Sequence, residues 1–282
     1  MSSTTATDRL KTEPLPSDKF FEFGARTVSV AALVFFVLVM WQLISRTPLP
    51  GKPGWAEAFF IVTAAIATLA SLARQLPGYK VLIGASVIAV LGGSAHAIGV
   101  TSAIPFGPFV YNEAAGPRLF GTVAWPLPVL WIIIVLNARG VARLGLKPWR
   151  KTKTYGFWVI GIATALVILL NLGLETYATK VARYWLWLPT KFSFTWHGMP
   201  WSNSLGWALV SLLMFAFATP FLINKSSRSR KLPPDYHPLI GWVMLLTLFG
   251  TGAAMEKIWS AAALCAVTAL ISIVFAVRGA RW

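Results

Sequence analysis

GFWVIGIATALVILLNLGL, residues 156–174, runs for nineteen residues without a charged side chain. A bilayer's hydrocarbon core is about 30 Å thick, and about 20 helical residues cross it. The stretch is therefore read as a membrane span. Working outward, seven more apolar runs of similar length follow, at about 27–45, 55–73, 81–102, 120–138, 204–223, 239–256 and 258–277. Only Glu256, Lys257 and their neighbours divide the last pair, so a seven-span count results if one of these runs is re-entrant. The predicted fold class is all-α: a polytopic membrane helix bundle of about eight transmembrane helices. Residues 1–18, rich in Ser, Thr, Pro and charges, read as a disordered N-terminal tail and make a poor signal peptide. Residues 19–282 read as a single multispan membrane domain.

The whole composition agrees. Apolar residues make up 56% of the 282 and charged residues 12%. A soluble domain carries about 25% charged residues, so a large soluble enzyme is excluded. The formal charge of +16 could suggest nucleic acid in a soluble chain. Here the cations fall in alternate loops, which speaks for anionic lipid and against nucleic acid. With the N-terminus inside, 18 of the 25 Lys and Arg lie on the inner side and 7 on the outer. This bias predicts N-in, C-in topology in the cell membrane, multi-pass.

Two connectors are unlike the rest. AIPFGPFVYNEAAGPRL (103–119) and ETYATKVARYWLWLPTKFSFTWHGMPWSN (175–203) are crowded with Trp, Tyr, Phe, Pro and Gly. Under this topology both lie on the outer face. An interfacial aromatic belt is one reading. The other is a cap over an apolar cavity, because irregular backbone at membrane depth survives only where protein buries it or water lines it.

Polar groups inside spans are costly and so informative. His96 lies in the third span. Asn171 and Glu175 end the fifth, four residues apart and so on one helix face. Glu113 follows the PFGPFVY stretch. Glu175 reads either as an interfacial carboxylate paired with Lys180 or Arg183, or as a carboxyl facing an apolar cavity, where it favours its proton-bearing form and can deliver that proton. Trp131, Trp185, Trp187 and Trp207, among 14 tryptophans, could stack a polyene or stabilise a cation through the ring quadrupole. Cys265 is the only cysteine, and no two of the three histidines have metal-site spacing. No metal and no cofactor are expected.

PFGPFVY at 105–111, Pro128 with Trp131, YWLW at 184–187 and GMPWSNSLGW at 198–207 resemble the membrane carotenoid-biosynthesis proteins of the carotenoid 1,2-hydratase type. The resemblance covers about residues 81–215. It implies a lyase that adds water to the terminal 1,2 double bond of an acyclic ψ-end carotenoid, giving a tertiary alcohol. Glu175 matches an acidic position of the family, Asn203 and Trp207 match the loop motif, and Tyr111 matches the aromatic after PFG. His96 and Asn171 stand where the family carries acids, and Thr176 stands where it carries Pro. The implied catalytic candidates are Glu175, Glu113, His96 and Asn171. The implied substrate-binding residues are Tyr111, Trp131, Trp185, Trp187, Asn203 and Trp207. The expected partners are a carotenoid or other long isoprenoid and the lipid bilayer. A catalytically silent carotenoid-binding membrane protein or subunit is the alternative, with a small-solute transporter behind it.

Overall fold

The computed structural model describes residues 16–190, 194–223 and 234–282, with side chains from residue 20 onward. Eight helices among these residues are long and apolar enough to cross a membrane. They are α1 (Pro16–Ser45), α2 (Trp55–Ala73), α3 (Gly78–Ser102), α4 (Pro126–Gly145), α5 (Tyr155–Thr176), α6 (Trp201–Ala218), α7 (His237–Met255) and α8 (Trp259–Ala280). The expected all-α polytopic bundle is what forms. The last two runs are separate spans, joined by Glu256–Ile258 with Lys257 in the left-handed region at φ 59°, so the count is eight and not seven. Of the expected tail, residues 1–15 lie outside the described residues, while 16–18 already belong to α1.

Helix α4 is the hub. It packs against α2, α3, α5, α7 and α8, and 67% of its apolar window is buried, against 11% for α1 at the periphery. The fourth span starts at Pro126, six residues later than expected. Residues 118–124 turn back as a small hairpin, β2 (Arg118–Leu119) on β3 (Val123–Ala124). Proline at the first helical position then costs nothing, because that N–H has no helical partner anyway. The sixth span is shifted toward the N-terminus, starting at Trp201 directly after the extended Pro200 and ending at Ala218.

The connectors at 46–54, 103–125, 177–190 with 194–200, and 256–258 fall at one end of the bundle, and 74–77, 146–154 and 219–223 at the other, as strict alternation of spans requires. At the first end the two aromatic connectors pair directly. Strand β1 (Phe109–Tyr111) runs antiparallel to β4 (Trp185–Trp187), with Phe109 opposite Trp187 and Tyr111 opposite Trp185. A further short pair, β5 (Thr195–Trp196) on β6 (Met199–Pro200), leads into α6. Close packing beneath the strands depends on missing side chains. A Cβ on Gly92 would sit 2.5 Å from Trp131 Cδ1, and one on Gly206 would sit 2.7 Å from the Pro105 carbonyl oxygen.

Candidate functional site

Strand periodicity of two assembles the first wall of the site. Phe109, Tyr111 and Trp185 are buried, while the intervening Val110 and Leu186 face outward. The inner face thus presents Phe109, Tyr111, Trp185 and Trp187 to the ends of α3, α5 and α6. Helix periodicity assembles the second wall. Asn171 and Glu175 share one face of α5 and are buried, and Asn203 in the first turn of α6 is buried opposite them.

These walls meet on the Glu175 carboxyl group. Its Oε1 accepts from Asn203 Nδ2 at 3.0 Å and Asn171 Nδ2 at 3.3 Å. Its Oε2 accepts from the indole N–H of Trp185 at 2.9 Å and of Trp187 at 3.2 Å. Four neutral N–H donors therefore fill both oxygens, and no Lys or Arg pairs with them among the described residues. An ionised carboxylate offers about four acceptor positions and no donor, so this shell is complementary to the anion. Immediately after Glu175 the helix widens into a π-helical turn, Tyr177–Val181, with the Thr179 hydroxyl donating to the Glu175 backbone carbonyl at 2.7 Å. Such widened turns recur at functional sites.

An aromatic layer continues from the strands into the bundle. The Tyr111 hydroxyl lies 3.3 Å from His96 Nδ1, and the His96 ring stacks on Phe106 at 4.7 Å. Trp131 and Trp207 stack at 4.0 Å beside it. His96 Nε2 and the indole nitrogens of Trp131 and Trp207 are buried without hydrogen-bond partners. Burial, and then the Glu175 carboxyl, raise the Tyr111 pKa well above the ordinary phenol value, against a smaller opposite pull from Arg118, so Tyr111 keeps its proton and remains a donor.

A cavity of about 840 Å³ lies against this cluster, lined by α1, α2, the start of α4 and both aromatic connectors and partly open. Leu43, Ile61, Leu130 and Leu174 give it apolar walls, and Trp185 lines it while donating to Glu175. Its polar rim carries Arg46, which pairs with Glu256 at 3.4 Å.

Nine of the ten residues singled out from sequence thus form one contiguous cluster: Glu175, Asn171, His96, Tyr111, Trp131, Trp185, Trp187, Asn203 and Trp207. Glu113 does not join it. It is exposed on the 3-10 turn Glu113–Ala115, at the cavity rim. The sequence reading missed Glu57, in the first turn of α2. It lines the cavity, and its Oε2 is buried with no hydrogen-bond partner. The available signal was a carboxylate inside the apolar run WAEAFFIV, where charge is costly. Among the described residues no cluster of His, Cys, Asp and Glu could hold a metal ion.

The family described as "Carotenoid biosynthesis protein" matches residues 56–273. The chain belongs to this family. It is also similar to a bisanhydrobacterioruberin hydratase from Haloarcula japonica, with 34% identity over 151 residues. That match takes in 52% of this chain and 48% of the relative, so the chain spans about half the length of the curated relative. No solved structure matches.

Proposed function

We propose that this member of the carotenoid biosynthesis family is a hydratase that adds water across the terminal 1,2 double bond of an acyclic carotenoid end group. The observation that carries the reading is Trp185, which donates its indole N–H to the buried Glu175 carboxyl while lining a cavity of about 840 Å³ with apolar walls and a charged rim. A greasy slot beside a fixed negative charge and aromatic rings is what a reaction through a tertiary carbocation needs. The name of the half-matched relative points to the same chemistry.

The proton and the charge are assigned to different carboxyls. Glu57, with one oxygen unpartnered in the cavity wall, gives its proton to C-2 of the alkene. The π electrons form the new C–H bond and leave a tertiary cation at C-1. Glu175, whose four N–H donors favour the anion, offsets that positive charge across the ring of Trp185, which lines the cavity. Water attacks C-1, and its surplus proton returns to Glu57. The sum is alkene plus water to tertiary alcohol, with the acid regenerated. The bound partner is a long isoprenoid drawn from the bilayer. The protein is assigned to the cell membrane with both termini inside, a placement supported by 18 of 25 basic residues falling on that side.

The test is expression in cells that accumulate lycopene or γ-carotene, with pigment masses read by chromatography and mass spectrometry. The expected result is a new pigment heavier by one water. Unchanged pigments in membranes that contain the folded protein would overturn the hydratase reading, and unmodified carotenoid co-purifying in stoichiometric amount would replace it with a binding role.

A further inference from the structure

At the opposite end of the bundle lies a second cavity, of about 720 Å³. Its wall carries five cations, Arg74, Arg139, Arg143, Lys147 and Arg150, and one carboxylate, Asp235. The carboxylate is committed elsewhere. Asp235 Oδ2 accepts from the Ser71 hydroxyl and from Gln75 Nε2, and Oδ1 accepts from the His237 backbone N–H at 3.0 Å, at the start of α7. Two cations are also occupied. Arg74 pairs with Glu22 at 2.6 Å, and Lys147 Nζ donates to the Ala280 carbonyl at 2.9 Å.

Three arginines remain. The guanidinium groups of Arg143 and Arg150 have no hydrogen-bond or ion-pair partner among the described residues. Arg139 is buried at 7% exposure, and among the described residues its guanidinium donates only to the Leu222 carbonyl, at 2.8 Å. Arg139 and Arg143 are one turn apart on α4, so like charges sit side by side on one helix face, which by itself destabilises the helix. A buried guanidinium without a counter-anion is costlier still. Surface cations that only mark the inner side of a membrane protein would stay in water, and Arg139 does not. The Thr219 hydroxyl, buried in the same wall without a partner among the described residues, adds a neutral donor, and Asn137 Oδ1, also in that wall, can accept from a hydroxyl.

We infer that this cavity is a binding site for a phosphate group, held by Arg139, Arg143 and Arg150. Guanidinium forks match phosphate oxygens in pairs. The phosphate can be the headgroup of an anionic lipid or a free diphosphate. The site is separate from the aromatic cluster and does not depend on the hydratase reading.

The experiment uses the full chain in nanodiscs. In one arm, discs of phosphatidylcholine with phosphatidylglycerol are analysed by native mass spectrometry for retained lipid. In the other, inorganic pyrophosphate is titrated into phosphatidylcholine discs while the unfolding temperature is followed. Phosphatidylglycerol retained over phosphatidylcholine names the lipid source, and a rise in unfolding temperature with pyrophosphate names the soluble one. Arg143→Gln, at a half-buried position, should weaken either effect about tenfold, the loss expected for one charge-assisted bond. Arg139→Gln should do the same, and Arg143→Gln carries the test alone if that variant fails to fold. Lys151→Gln, an exposed cation at the same end outside the cavity, should change nothing. Absence of both effects would overturn the proposal, and so would equal losses from Lys151→Gln and Arg143→Gln.

Discussion

Replacing Glu175 separates the cost of a charge from the cost of its shell. In Glu175→Gln the side chain keeps its shape, and its carbonyl oxygen can still accept from the two indole N–H groups of Trp185 and Trp187. The new amide NH2 then faces Asn171 and Asn203, whose own amides can turn to present oxygens. Four bonds survive as neutral ones. Each weakens by about 1 kcal/mol, from the 1.5–3 typical of charged partners to the 0.5–1.5 of neutral ones. Against that loss of about 4 kcal/mol stands the relief of not burying a charge, itself several kcal/mol. Stability should therefore change by no more than about 2 kcal/mol in either direction. Glu175→Leu removes the acceptor altogether. The asparagines can bond to each other, but the two indole N–H groups are left without partners at about 1–3 kcal/mol each, so a loss of about 2–6 kcal/mol is expected. Activity should respond differently. Both variants lose the charge opposite the cation, worth about 2.7–4 kcal/mol by analogy with a single preorganised donor at a reacting centre, or about 10²–10³ in rate. Unfolding midpoints in detergent give the first comparison, and pigment conversion per folded protein gives the second. Full conversion by a folded Glu175→Gln would refute the charge argument. A Glu175→Leu protein as stable as wild type would refute the account of the shell.

Glu57→Gln should leave the unfolding midpoint within about 0.5 kcal/mol of wild type, because its buried oxygen has no partner to lose, yet conversion should fall at least about 10²-fold if it is the acid. Pigment yield at matched expression reads this directly. Trp185→Phe keeps a ring in the cavity wall but deletes one N–H on Glu175. It should cost about 1–3 kcal/mol in stability and lower conversion more than Leu186→Ala on the outward face of the same strand. Gly92→Ala places a methyl 2.5 Å from Trp131 Cδ1 and should destabilise by about 1–3 kcal/mol, measurable as a lowered unfolding midpoint, whereas Gly161→Ala, with open space around it, should not.

The spans were legible because twenty apolar residues leave a chain few alternatives. Their ends were not. The start of α4 depends on a hairpin of only two residues per strand, and no periodicity signal exists at that length. Asn171 and Glu175 were legible as neighbours because helix geometry alone places residues i and i+4 together. Their meeting with Asn203, Trp185 and Trp187 was not, since it depends on the registry of β1 against β4 and on where α6 begins. The aromatic connectors were readable as a shared roof from composition, while the cavity was placed beside the Glu175 cluster only by the packing of α1 and α2. Glu57 shows the opposite weakness. It was visible as a carboxylate in a span, but nothing local separates a residue at a helix start from one facing a cavity.

Asn171 stands where the resemblance implies an acid, so its contacts bear on how the proposed chemistry divides between residues. An aspartate there would set a second carboxyl one helical turn from Glu175, with no cation among the described residues to hold the two together. The amide present instead donates to Glu175 Oε1 at 3.3 Å and completes the four-donor shell. The amide therefore favours Glu175 as the charge, because in this arrangement each of its four partners gives a hydrogen. A proton donor is then needed elsewhere in the cavity wall. Among the described residues, Glu57 is the carboxyl that lines the cavity with a buried, unpartnered oxygen. An amide at position 171 is thus compatible with the proposed water addition, provided the two duties an acid pair could share are carried by residues on different helices.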